Sequence, residues 1–212
     1  MKKIKIINLS KSFKGQDVIS EFSAELEAGK IYGVSGRNGS GKTVLLKLLS
    51  GLLKATTGKI MIDDYQLGKD IEFPLSIGVI IDKPEFFDEY SGLKNLKILS
   101  EIKNVLSEQE VTEVMKYFGL FDLKKKVKKY SLGMKQRLGL AQAFMESPEL
   151  LILDEFTNAL DKEYTVFIHN EIRSYINDNR IIILTSHYEQ DLYALCDEIY
   201  TIEDGNVKKY DN

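Results

Sequence analysis

Gly36-Arg37-Asn38-Gly39-Ser40-Gly41-Lys42-Thr43 has the residue types and spacing of a phosphate-binding loop, G-x-x-x-x-G-K-[ST]. Gly36, Gly39 and Gly41 let the backbone fold close to a phosphate chain without Cβ clashes, so that the N–H groups of the loop, Asn38 and Ser40 included, face the anion. Lys42 adds a full charge near the β- and γ-phosphates, and the Thr43 hydroxyl is a ligand for Mg²⁺. This chemistry requires a strand before the loop and a helix after it. Ile31-Tyr32-Gly33-Val34 is an apolar run with β-branched residues, and Leu45-Leu46-Lys47-Leu48-Leu49 is apolar at helical spacing. The positive end of that helix then joins the site.

Carboxylates follow downstream. Leu150-Leu151-Ile152-Leu153-Asp154-Glu155 reads as a strand buried on both faces that ends in two acids. Alone, this is an acidic cap on a strand. With a phosphate loop upstream, it reads as a Walker B segment: Asp154 holds Mg²⁺ directly or through water, and Glu155 polarises the water that attacks the γ-phosphate. Thr185-Ser186-His187 leaves a second apolar run, Ile181-Ile182-Ile183-Leu184. At that sheet edge a neutral imidazole of His187 can bond the γ-phosphate and position the water. His169 lies mid-helix and reads as structural. In Tyr130-Ser131-Leu132-Gly133-Met134-Lys135-Gln136-Arg137 the serine is an ordinary N-cap, but a helix start is also an anion site, so Ser131 and Gly133 can face a phosphate from another molecule.

The elements that position these groups fall into zones. The first sixty-odd residues read as strands, with Ile4-Lys5-Ile6-Ile7, Phe22–Leu26 and Lys59–Ile62 alternating and Asp63-Asp64 as a turn. From about residue 90 to 146 the pattern is helical: Leu93, Leu96, Leu99 and Ile102 are expected on one face, and Val111, Val114, Met115 and Phe118 on another, with Gly119 as a stop. A third helix starts at Ser131, carries Leu138, Ala141 and Phe144, and ends before Pro148. The last third alternates strand and helix as a parallel βαβ pair and closes in a hairpin at Ile199–Asn206. At 212 residues with net charge −3, the chain is one domain without a basic field for nucleic acid. The lone Cys196 forms no internal disulfide, which suits a reducing compartment, and no apolar run reaches the ~20 residues that span a bilayer.

Together these residues resemble the ATP-binding cassette family, the nucleotide-hydrolysing subunits of ABC transporters, over essentially the whole chain. The resemblance implies an α/β fold: a P-loop NTPase (RecA-like) core with an N-terminal antiparallel β subdomain and a helical signature subdomain. It divides the single domain into residues 1–84 and 147–212, the core with the β subdomain, and about 85–146, the helical part. The family signature is usually Leu-Ser-Gly-Gly-Gln; this chain keeps Ser131 and Gly133 and has Tyr130, Leu132 and Met134 at the other places. Phe13 stands where the family stacks an aromatic on adenine. Asn158-Ala159-Leu160-Asp161 resembles the D-loop that touches the opposing site, and Asp82 occupies the place of the Q-loop glutamine, where a carboxylate can hold a metal-bound water. The acidic Q-loop and the Ser-Leu-Gly-Met-Lys-Gln-Arg segment are similar to the branch of peptide-antibiotic export or immunity.

The implied ligands are ATP and Mg²⁺. The implied partners are a transmembrane permease and a second cassette, in a homodimer or a heterodimer, with no nucleic acid. The implied location is cytoplasmic, on the inner face of the membrane through the permease. The alternative is a non-transport cassette ATPase for cell division, cofactor assembly or nucleic acid; a small-molecule kinase would need an arginine-bearing lid, and arginines are few here. Lys124–Lys129 reads as a solvated loop that could instead meet acidic lipid or a partner, and Phe86, Phe87 and Tyr90 read equally as core or as a docking groove.

Overall fold

A computed structural model describes residues 1–210, so the last two positions of the expected 147–212 segment lie outside the described residues. The strands are β1 (Lys3–Phe13), β2 (Gln16–Glu27), β3 (Lys30–Ser35), β4 (Thr57–Ile62), β5 (Tyr65–Gln66), β6 (Ile77–Ile80), β7 (Leu150–Leu153), β8 (Ile181–Leu184), β9 (Glu198–Glu203) and β10 (Asn206–Lys209). The helices are α1 (Lys42–Leu49), α2 (Gly92–Lys103), α3 (Glu108–Tyr117), α4 (Leu132–Phe144), α5 (Lys162–Tyr175) and α6 (Glu189–Leu195). The sheet order is β5-β4-β1-β2-β10-β9-β3-β8-β7-β6. One half, β5 to β2, is antiparallel; in the other, β9, β3, β8, β7 and β6 run parallel. The halves meet at a single pair, Ser20 with Asn206. The expected closing hairpin, β9–β10, thus has a second role: it is the seam.

The parallel half is legible in the side chains. All four residues of β7 and of β8 are buried. Leu151 and Leu153 face one apolar cluster, with α2 to α6, while Leu150 and Ile152 face the other, with α1 and the antiparallel strands. This is the period-two alternation of a strand covered on both sides. Strand β6, between the two zones read from the sequence, was not anticipated. It is an edge strand of four residues, as short as β7 and β8, but Gly78 interrupts its apolar run.

One helix face needs correction. Leu96 is fully buried, and Leu93 and Leu99 pack on the core, but Ile102 is 77% exposed. Steps of three fall short of the 3.6-residue turn, so by Ile102 the series has rotated to the far side of α2. Ser100 takes the inward place and donates its hydroxyl to the Lys97 carbonyl. Helix α3 matches expectation: Val111, Met115 and Phe118 are buried, and Gly119 follows with φ of 75°. It begins in a Ser107–Glu110 capping box. The aromatic trio separates: Phe86 packs on the core, while Phe87 and Tyr90 are exposed with ring centroids 5.6 Å apart. In the basic run Lys126 and Lys128 both bond Glu89, and Val127 is buried, so this loop is anchored rather than freely solvated.

Candidate active site

The parallel topology brings the ends of β3, β7 and β8 side by side, and the chemistry-bearing residues sit where those strands stop. The loop after β3 enters α1 through Gly41, a left-handed residue with φ of 109° at the N-cap. A Cβ on Gly41 would lie 2.9 Å from Val18 Cγ1, and one on Gly36, at φ 145°, would lie 2.6 Å from Ser40 Oγ. Both backbone angle and space therefore demand glycine. Gly39 is also left-handed. No side chain caps α1, so its first N–H groups are left for an anion. Lys42 is buried and spans the loop, donating to the carbonyls of Gly36 (2.7 Å) and Arg37 (3.1 Å). The buried Ser40 hydroxyl has no partner among the described residues, and Asn38 lines two grooves beside the loop.

At the tip of β7, Asp154 is 4% exposed. Its Oδ2 accepts from Thr43 Oγ1 at 2.8 Å and its Oδ1 from Thr185 Oγ1 at 2.5 Å. Leu153 lies opposite Leu184 in the ladder, so Thr185 arrives beside Asp154 by register alone. Thr43 and Asp154 are hard oxygen donors at the start of α1, which suits Mg²⁺, an ion that takes one or two protein ligands and completes its octahedron with phosphate and water. Among the described residues no group of three or more His, Cys, Asp and Glu is placed to hold a metal ion.

Glu155 has φ of 49°, a left-handed angle that its side chain does nothing to favour. Its N–H donates to Thr185 Oγ1 (2.8 Å), Asn158 Nδ2 donates to its Oε2 (2.6 Å), and His187 Nε2 lies 2.8 Å from its Oε1. The imidazole expected at the γ-phosphate thus first meets the carboxylate beside it. Phe13 is 45% exposed, so it is not a core residue, and it lines one groove of about 520 Å³ with Gly39, Lys42, Thr43, Glu155 and His187. Asp82, at φ 60°, lines a neighbouring cleft of about 1110 Å³ with Thr43, Asp154 and Glu155. It pairs with Lys47 (2.5 Å), which lies four residues beyond Thr43 on the same face of α1.

The signature residues lie elsewhere. Ser131 caps α4, its Oγ accepting from Met134 N–H at 3.2 Å. A Cβ on Gly133 would stand 2.8 Å from the Ala159 carbonyl, so the helix start packs on the D-loop. Asp161 caps α5 through Tyr164 N–H (2.8 Å) and pairs with Arg137 of α4 (3.1 Å). None of these three borders the groove that holds Phe13 and Lys42. His169 is a partly buried residue of α5, as expected. Sequence reasoning missed Thr185 as a partner of Asp154, and Lys47 and Asp191. Strand register gives a signal for the first and the four-residue spacing for the second; nothing local marks Asp191.

Residues 19–158 match the ABC transporter family. The chain is 43% identical over 206 residues to the uncharacterized ABC transporter ATP-binding protein YybJ of Bacillus subtilis, covering 97% of this chain and 94% of that one. It is 37% identical to the bacitracin transport ATP-binding protein BcrA of Bacillus licheniformis (96% and 68% covered) and 34% identical to the lantibiotic transport ATP-binding protein SrtF of Streptococcus pyogenes (98% and 91%). In fold it is similar to the dimeric ATP-binding cassette MJ0796 bound to ADP and Pi, with TM-score 0.87 and 20% identity over 99% of both chains. A phosphate loop, a carboxylate pair and a histidine converging on one strand edge, in a chain so matched, make this protein a member of the ABC transporter family and an ATP-binding, ATP-hydrolysing subunit of that family.

Proposed function

We propose that the chain powers a separate membrane permease by ATP-driven dimerisation, in the export direction and with a peptide antibiotic as cargo. The observation that carries the hydrolytic part is the convergence of Thr43, Asp154, Glu155 and His187 at the start of α1. Phe13 stacks on adenine, and the amides from Asn38 to Thr43 and the Lys42 ammonium hold the phosphates. Thr43 and Asp154, with Asp82 through a water, would hold Mg²⁺, which would supply charge neutralisation to the phosphates. Glu155 accepts a proton from the water that attacks the γ-phosphorus, the bond to the bridging oxygen breaks, and ADP and phosphate result. His187 releases Glu155 to bond the γ-oxygen.

Ser131, Gly133 and Asp161 serve the site of an opposed second cassette. Ser131 and Asp161 are exposed, and none of the three borders the groove of Phe13 and Lys42, which supports that reading. The triphosphate bridges two helix starts, and hydrolysis removes the shared anion and opens the dimer. The relatives named for bacitracin and lantibiotic transport support the cargo class. No helix among the described residues is long and apolar enough to cross a membrane, so any span comes from the permease in this scheme, which holds the chain at the cytoplasmic face. Glu155→Gln tests the scheme: with ATP it accumulates as a dimer in scattering or gel filtration. A nucleotide-loaded chain that stays monomeric at all concentrations, with and without its permease, removes the bridging role.

A further inference from the structure

Behind Glu155 and His187 lies a buried polar cluster that the reading above leaves unused. Asp191, in the first turn of α6, is 9% exposed. Its Oδ2 accepts from Thr157 Oγ1 at 2.9 Å and from Ser186 Oγ at 2.7 Å. Its Oδ1 faces His169 Nε2 of α5 at 3.3 Å. Ser186 Oγ in turn accepts from the Tyr188 N–H at 3.0 Å. Thr157 and Ser186 are themselves buried. A buried carboxylate is costly unless hydrogen-bonded, and here two hydroxyls from different loops meet that need on one oxygen.

The placement of those hydroxyls is what matters. Thr157 follows Glu155 by two residues, and Ser186 immediately precedes His187. One carboxylate therefore fastens the loop that carries the acid to the loop that carries the imidazole, beneath their 2.8 Å contact. The backbone at Glu155 is left-handed, so that loop needs external bonds to hold its shape. We propose that Asp191 is a positioning residue that keeps Glu155 and His187 in register through Thr157 and Ser186. This rests on the hydrolytic role proposed for that pair. Asp191 touches no nucleotide; it acts through the two loops.

Turnover and nucleotide affinity of the full chain test this. Asp191→Asn keeps one carbonyl oxygen for both hydroxyls and is expected to stay within about twofold of the parent in kcat. Asp191→Leu removes the acceptor at similar volume and is expected to lower kcat by roughly 10- to 100-fold, with KM and nucleotide Kd unchanged. In a His187→Ala background, Asp191→Leu is expected to add less than about twofold, because the pair it positions is already broken. Losses that multiply in that background, a Kd that weakens in step with kcat, or no rescue by Asn each overturn the proposal. Should Asp191→Leu not fold, Thr157→Val and Ser186→Ala each remove one strap and are expected to lower kcat several-fold on the same pattern; normal turnover in both overturns it. Normal turnover of Glu155→Gln overturns the pair and the anchor together. An inactive Glu155→Gln beside fully active Asp191→Leu, Thr157→Val and Ser186→Ala overturns the anchor alone.

Discussion

The tips of β3, β7 and β8 and the start of α4 both offer a helix N-terminus or backbone amides to an anion, yet they are built differently. At the strand tips every acid already has a partner: Thr43 and Thr185 on Asp154, Asn158 and His187 on Glu155. At the start of α4, the Ser131 hydroxyl bonds only the N–H of Met134 among the described residues, and Leu132 beside it is 74% exposed. In the first region the chain fixes the geometry of the acids by its own contacts. The second is a capped helix start, and its Leu132 borders the cleft of Thr43, Asp154 and Glu155. Charge recognition is thus preorganised at the strand tips and left open at the start of α4, which supports the proposed bridging by a second copy.

The comparison is broken most sharply at Glu155. Glu155→Gln is expected to cut kcat by about 10²- to 10⁴-fold while ATP binding persists, measured by phosphate release and by equilibrium binding. Full turnover would show that the strand-tip region lacks the proposed base. Lys42→Ala is expected next, weakening nucleotide affinity by about 10- to 100-fold, because a charged donor to phosphate is lost. Ser131→Arg probes the other region: placed in the Glu155→Gln background, it is expected to weaken ATP-driven dimerisation by roughly tenfold or more and to leave monomer binding alone. Normal dimers by scattering would leave α4 outside the interface. Ser131→Ala sharpens the point. A capping role alone costs about 1 kcal/mol of stability in thermal unfolding, whereas a phosphate contact also lowers dimer affinity.

The smallest effect expected is one of pH. Desolvation, the largest cause, pulls the pKa of His169 below its ordinary value of 6.5, opposed by Asp191. The folded chain therefore binds this proton less readily than the unfolded one. Its contribution to stability is present above the unfolded value and is lost as pH falls through the folded one. His169→Gln is expected to flatten the fall in melting temperature between about pH 7.5 and about pH 5.5. An unchanged slope would assign the acid sensitivity to other groups.

Much of the strand-tip region was legible in the sequence because its motifs are local. Gly36 to Thr43 need their types at fixed spacing to wrap a phosphate, and an apolar run that ends in Asp154-Glu155 announces a buried strand with an acidic tip. Strand β6 was not legible, because Gly78 breaks the apolar run that marks the equally short β7 and β8. Ile102 was misplaced because regular threefold spacing looks amphipathic over one turn and drifts over three. The basic run Lys124–Lys129 looked like open loop because its counter-charge, Glu89, lies far back in the chain.

Residue types alone determined what chemistry this protein can hold: glycines where the backbone must turn left-handed beside an anion, and oxygens and an imidazole at strand ends. Which of those groups meet was decided by the tertiary structure. Strand register set Thr185 on Asp154, helix phase set Lys47 on Asp82, and the turn into α6 placed Asp191 between the loops of Glu155 and His187. The physical reason is range. Backbone preference and hydrophobic period act over a few residues, whereas a hydrogen bond between residues more than thirty apart exists only after the sheet has brought them together.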